Sequence, residues 1–287
     1  MVRKEATKKL IVIKPNGNHS NRLIQNAHFE VFCKEYQIEY HNSTFSDLAQ
    51  YYIEPCHAAT NRFLRFLQID LLGQLFHHSK FVKKVFSLVW IISRFGMLKL
   101  VRFDRAKGNC VNILLKAFEK NDVVYVGGWA FRVPQLVEKY KNEMHKQYAL
   151  KPIFYLNNDF VENVEKFTLS DYIMVGVHIR RGDYKTWKKG AYYYEDEVYK
   201  NQMESISDQL MQQGKKKILF ILFSNEALSI QQTPNLLISK ENWYIDHHLM
   251  SLCHYLIGPP STFTLWASYV GNAKLIYLQQ CDQKISI

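Results

Sequence analysis

Residues 176–185 read Gly-Val-His-Ile-Arg-Arg-Gly-Asp-Tyr-Lys, an apolar run that ends at Ile179 and gives way at once to two guanidinium groups, a glycine and a carboxylate. Adjacent guanidiniums suit a diphosphate, because their planar forks match phosphate oxygens bidentately and stay charged at any relevant pH. Consecutive strand residues point to opposite faces, so one of Arg180 and Arg181 is expected to enter a site while the other braces the loop. Asp183 would orient one of them, and Gly182 would relieve the turn. His178 precedes them on the same run, at the carboxyl end where doubly wound sheets bind ligands. The competing reading is a charge-rich surface turn. Arg-Gly-Asp also spells an adhesion tripeptide, but three residues recur by chance, and a strand-end site would sequester them.

Three further stretches could add to such a site. Residues 17–27, Gly-Asn-His-Ser-Asn-Arg-Leu-Ile-Gln-Asn-Ala, set Gly17, Asn18 and Asn21 between a strand and a helix, where backbone N–H groups accept an anion or sugar hydroxyls. No Gly-Lys-Ser/Thr follows, so it is not a Walker A loop. At 258–271, Pro259 and Pro260 stop any helix before them, Ser261 and Thr262 are cap residues, and an apolar helix begins near Phe263. That is a second anion cradle at the same sheet edge, although capping alone explains both hydroxyls. Ser224, Asn225 and Glu226 end another apolar run, where they read either as groups for a nucleobase or ribose or as a plain turn.

Metal chemistry finds little support. The sequence has no Asp-X-Asp, and Glu195-Asp196-Glu197 falls in a helix first turn, where the macrodipole favours acids. Asp246, His247, His248, Cys253 and His254 cluster in a way that would suit a metal phosphoesterase, yet the further strand-end aspartates of such centres are missing.

The elements around these residues alternate. The first half reads as a strand at 9–15, a helix at 21–36, helices around 61–77, 81–101 and 111–119, a strand at 122–129 and a helix at 134–150 that Lys151-Pro152 ends. The second half reads as a strand at 172–179, a helix through about 193–213, strands at 216–224 and 235–239, a helix at 246–255, a strand at 256–258, a helix from Ser261 and a strand at 274–278. Continuous apolar strands between helices imply a parallel sheet covered on both faces. The expected architecture is α/β, with two Rossmann-like domains facing a cleft, 1–152 on the acceptor side and 153–287 binding the nucleotide-sugar donor.

Taken together the segments resemble the α-1,2-fucosyltransferases of glycosyltransferase family 11. Residues 178–184 match the family's His-X-Arg-Arg-X-Asp-Tyr motif outright, and the 17–27 loop keeps Gly17, Asn21, Gln25 and Ala27 of the family's N-terminal loop in register. Residues 223–226 stand where the family has Phe-Ser-Asp-Asp. Residues 246–268 are similar to its Asp-X-X-Leu-Met-Ser-X-Cys segment followed by Ser-Ser-Phe-Ser-Trp-Trp-Ala, which accounts for Asp246 and Cys253 without a metal. Departures are Ser20 for a loop glycine, Asn225-Glu226 for the aspartate pair, and the missing double tryptophan. The resemblance implies a GT-B fold, GDP-fucose as donor, a galactoside 2-hydroxyl of a glycan as acceptor, inversion at the anomeric carbon and no divalent metal or other cofactor. It implies Arg181 as the principal electrostatic catalyst, with His178 and Arg180 supporting the diphosphate pocket and Asp183 fixing the arginines. His19 and Asp183 are the candidates for a general base.

The chain's 287 residues, nearly half of them hydrophobic, can build two sizeable cores, and the net charge of +11 calls for an anionic partner. A nucleic-acid binder is the alternative from another class, but the basic residues are dispersed over both halves instead of clustered, so nucleic acid is not the expected partner. A transferase using another nucleotide sugar is the alternative within the class. Five scattered cysteines and no apolar signal core in the first 15 residues suggest a cytoplasmic protein. At 81–101, Lys83, Lys84, Arg94 and Lys99 interrupt the apolar run well short of the ~20 residues a span needs. That run reads as a basic amphipathic helix of the core, or as a peripheral contact with the inner membrane face.

Overall fold

The computed structural model describes residues 8–13, 17–54, 99–104 and 108–287. The chain divides into two compact units, Met1–Ala149 and Leu150–Ile287.

In the second unit, five parallel strands, β5 (Ile173–Ile179), β6 (Ile218–Ser224), β7 (Leu236–Ile238), β8 (Tyr255–Gly258) and β9 (Lys274–Tyr277), lie in the order β7-β6-β5-β8-β9. The chain steps outward from β5 to β7, then crosses to β8 on the other flank of β5. The order therefore reverses between β5 and β8, and ligands bind outside the strand ends at such a switch point. Both sheet faces are covered. Val175, Val177 and Ile179 of β5 pack with Tyr199, Met203, Ile206 and Leu210 of the helix Asp196–Gln212. Met174 of β5 and Leu219, Ile221 and Phe223 of β6 share the opposite core with Val161, Val164, Ile245, Leu249 and Ala267. Each such fully buried aliphatic side chain contributes roughly 1.5–3 kcal/mol. That two-sided burial is why these strands read as unbroken apolar runs.

The first unit holds a four-stranded parallel sheet of order β2-β1-β4-β3, from β1 (Lys9–Val12), β2 (Glu39–His41), β3 (Lys99–Arg102) and β4 (Val123–Gly127). Its two inner strands, β1 and β4, pair with each other in parallel. The helix α1 (His19–Glu35) follows β1 and is buried along most of its length. At the end of β4, Gly128 has φ +94°, and a Cβ there would lie 2.4 Å from the Phe103 carbonyl carbon. Only glycine fits.

Helices continue as α2 (Ser46–Ala49), α3 (Cys110–Phe118), α4 (Pro134–Lys139), α5 (Lys141–Gln147), α6 (Asp159–Thr168), α7 (Asp196–Gln212), α8 (Trp243–Ser251) and α9 (Thr262–Gly271). Three sequence expectations need correction. Residues 99–101, read as the end of a helix, belong to β3, because they pair in register with β4. The single helix expected at 134–150 is two, broken at Tyr140, whose hydroxyl bonds Glu35 on α1 while Lys139 bonds the same carboxylate. The helix α6 went unread, although Asn158 caps it and Asp159 and Glu162 lie in its first turn. The expected helix at 61–77, and 81–98 with its membrane contact, lie outside the described residues. Among the described residues no helix is long and apolar enough to cross a membrane.

Candidate active site

The carboxyl ends of β5, β6 and β8 bring together His178, Arg180, Arg181, Asp183, Ser224, Asn225, Glu226, Ser261, Thr262 and Phe263. The alternation of β5 sends the two arginines to opposite sides. Arg181 continues the face of Ile179, toward α7. Its guanidinium bonds the Tyr193 hydroxyl at 2.9 Å and the Asp196 carboxylate, with Glu195 at 3.5 Å. Burial works against its charge, but Tyr193, Asp196 and Glu195 hold its pKa above the ordinary value. Burial would also lift the Asp196 carboxyl, yet the Ser229 hydroxyl and amide, with Arg181, hold it below its usual range. Beside this pair lies an open cavity of about 480 Å³ whose wall carries the carboxylates of Glu195, Asp196, Glu197 and Glu226 against the two cations Arg181 and Lys200. Four carboxylates make it a poor seat for a diphosphate.

Arg180 continues the other face, that of His178. Its guanidinium bonds Asp183 at 2.7 Å and lies 5.4 Å over the Tyr184 ring, whose hydroxyl donates to the Pro260 carbonyl at 2.7 Å. Tyr184 thereby ties the arginine loop to the start of α9. There Ser261, in extended conformation, accepts from the Phe263 amide at 3.1 Å, and Thr262 is the first helical residue. A capped helix start with a half-buried guanidinium on the same side of the sheet can hold an anion. Gly258 permits this closeness, since a Cβ on it would sit 2.6 Å from the His178 carbonyl oxygen.

The remaining residues position these. Asp183 braces Arg180 alone; the expectation that it fixes both arginines is corrected, because Asp196 already occupies Arg181. Asn225 Oδ1 accepts from the Arg181 amide at 2.9 Å, Glu226 accepts from the Gly182 amide at 3.0 Å, and Ser224 Oγ accepts from the Glu226 amide at 3.3 Å. These contacts hold the loop. The Phe263 ring lies between His178 at 5.2 Å and His247 at 4.0 Å, as packing for both imidazoles. His178 is buried, and burial with the Arg180 charge lowers its pKa to about 3, so it is neutral near pH 7. In the first unit, Gly17 at φ +73° and Asn18, whose side chain makes no cap bond, open the N-terminus of α1. Asn21 packs against Gly17, and His19 begins the helix.

Sequence reasoning missed Tyr193 and the roles of Tyr184 and Asp196. Acids in a first turn are common enough that Asp196 carried no signal of its own; its partner lies 15 residues back across a strand-to-helix crossover. The loop 184–193 was missed as well. Tyr184, Trp187 and Tyr192 form a run of rings at 4.8 and 5.4 Å, with the Lys188 ammonium 4.9 Å from the Trp187 centroid. Lys188 and Lys189 both take left-handed conformations, φ 48° and 61°. Such strain costs on the order of 1–3 kcal/mol for each residue. An exposed cation over a ring returns only about 0.5–1 kcal/mol.

The histidine-rich helix α8 does not converge. Asp246 accepts from the Ser239 hydroxyl at 2.5 Å, His247 faces Phe263, and His248 stacks on Tyr155 and meets Glu165 at 3.4 Å. Among the described residues no three His, Cys, Asp or Glu side chains stand together as a metal site. Burial pushes the Asp246 carboxyl up to about 7, against the Ser239 bond and helped by Glu241. A raised carboxyl pKa gives stability that is complete below the unfolded value near 4 and is lost as pH climbs through about 7. Asp246→Asn is expected to be more stable than the parent at pH 8 by on the order of 2 kcal/mol, discounted for the water reaching this partly exposed group, with the gap closing near pH 4. Parallel melting curves across that range would contradict it.

The second unit is of Rossmann type, with a guanidinium and a capped helix start on one side of its switch point. Residues 162–286 match the family model described as Glycosyl transferase family 11, so the resemblance of the motif blocks in the second unit is borne out. No curated protein matches the sequence. Among solved structures, a mutant of Arabidopsis thaliana FUT1 in complex with GDP is 13% identical with a TM-score of 0.51, covering 94% of this chain and 69% of its own. The α-1,6-fucosyltransferase NodZ soaked with GDP-fucose is 11% identical with a TM-score of 0.53, covering 92% and 93%. NodZ from Bradyrhizobium gives a TM-score of 0.51 at 11% identity, covering 91% of each chain. The expected α/β architecture with parallel sheets, of GT-B type, is therefore the fold of this chain.

Proposed function

We propose that this protein transfers fucose from GDP-fucose to a hydroxyl of a glycan, a galactoside 2-hydroxyl in the narrowest form, with inversion and without a divalent cation. The observation that carries this reading is the meeting of Arg180, tied through Tyr184, with the capped start of α9 at the β5/β8 switch point. As the bond from fucose to phosphate breaks, negative charge grows on the diphosphate, and a prepositioned guanidinium and helix-end dipole stabilise it. The geometry favours Arg180 as the group that meets the leaving diphosphate and Arg181 as the brace. His178, neutral and buried against Phe263, supports the pocket from behind without adding charge. An oxocarbenium-like transition state asks little of the acceptor hydroxyl, so a strong base is unnecessary. The match to family 11 and the GDP and GDP-fucose complexes of the solved relatives support the donor.

GDP at about 100 times its Kd is expected to stabilise the protein by ~2.7 kcal/mol, a rise of several degrees in Tm, equally with and without chelator. No shift at millimolar GDP would remove the reading, and a shift abolished by chelator would remove its metal independence.

A further inference from the structure

We propose that the loop 184–193 is the docking surface for the acceptor, and that the glycan it takes is acidic. This rests on the transferase reading above. The rings of Tyr184, Trp187 and Tyr192 form one shelf that begins beneath the Arg180 guanidinium, 5.4 Å from the Tyr184 centroid, and runs out to an indole that is 39% exposed. The shelf is anchored where the donor diphosphate would sit, because Tyr184 bonds Pro260 just ahead of α9. A flat, exposed indole held in place by packed rings suits the C–H face of a pyranose, and stacking there sets a sugar beside the bond that breaks.

The cations say which sugar. Lys188 lies over both Trp187 and Tyr192, at 4.9 and 5.2 Å, and Lys189 follows it. Among the described residues neither ammonium meets a carboxylate, whereas Lys185 has Glu226 at 3.8 Å. Two successive left-handed lysines hold this arrangement, and the ring contacts alone do not offset that strain. Strain kept at a surface loop points to use, and an unbalanced Lys188 ammonium over the stacking face, followed in the chain by a second lysine, fits a sugar bearing a carboxylate, sulfate or phosphate. The net charge of +11 agrees with an anionic partner.

The test is direct binding of a matched pair, lactose and lactobionate, with sulfated and uronate-bearing oligosaccharides, to the full chain saturated with GDP. The acidic probes are expected to bind at least about tenfold more tightly than lactose at low salt, a preference that shrinks at high salt. Trp187→Ala is expected to weaken all probes about tenfold, and Lys188→Ala with Lys189→Ala to erase the acidic preference, while the GDP-induced rise in Tm stays in each variant. Equal binding of both probes, no binding of any saccharide, or a preference that survives the double lysine variant overturns the proposal. Loss of the GDP response in the parent protein would instead strike the transferase reading beneath it.

Discussion

Arg180→Lys should lower kcat at least ~100-fold while leaving the melting temperature within about a degree of the parent. The size follows from what lysine lacks. A guanidinium presents two parallel N–H groups to a diphosphate as charge accumulates on it, and an ammonium presents a point charge that is reoriented with each oxygen it meets. The thermal silence follows from exposure. Asp183, the one carboxylate paired with Arg180 among the described residues, has a side chain 62% exposed, and surface pairs of this kind contribute little to stability. Steady-state rates with GDP-fucose and a thermal melt decide the matter together. Full activity in Arg180→Lys, beside a dead but thermally unaltered Arg181→Lys, would return the principal role to Arg181.

The second unit's fold was legible because its strands are buried on both faces. Val, Ile, Leu and Phe then fill consecutive positions, and the helix-strand alternation stands out, as in β5 and β6. The motif at 178–184 could be placed at a strand end for the same reason. The roles of the two arginines were less legible. Alternation states that Arg180 and Arg181 diverge, but which face holds the helix start and which the acids depends on β8 crossing to the far side of β5, a long-range fact. The Glu195-Asp196-Glu197 run illustrates the limit, since helix-dipole chemistry explains all three acids equally and only the coordinates single out Asp196. Likewise β3 was hidden in an apolar, basic stretch whose spacing fits a helix, because Lys99–Arg102 is a short edge strand that tertiary pairing defines. The candidate residues were thus legible by type, and only the fold distributes them between the two faces of β5.

Asp196 carries the largest expected effect on stability. Its side chain is 14% exposed and that of Arg181 7%, and Asp196 also accepts from both the amide and the hydroxyl of Ser229. Asp196→Ala leaves a buried guanidinium without its main counter-charge and two Ser229 donors without an acceptor. Breaking one partner of a fully buried pair costs about 3–5 kcal/mol; this pair opens on the cavity and Arg181 keeps Glu195 at 3.5 Å, so a loss of about 2–3 kcal/mol is expected. Because the Arg181 amide bonds Asn225, the displaced arginine is expected to pull the loop 180–183 with it and to weaken GDP binding. Removing both charges discriminates between the two roles. If Arg181 only braces the loop, Arg181→Met combined with Asp196→Ala recovers at least ~2 kcal/mol of the single-variant loss and part of the GDP affinity, read by denaturant melts and thermal shift. If Arg181 itself grips the departing diphosphate, stability returns in the double variant while GDP affinity falls further, since the charge that repaired one defect by leaving is the charge the ligand needs.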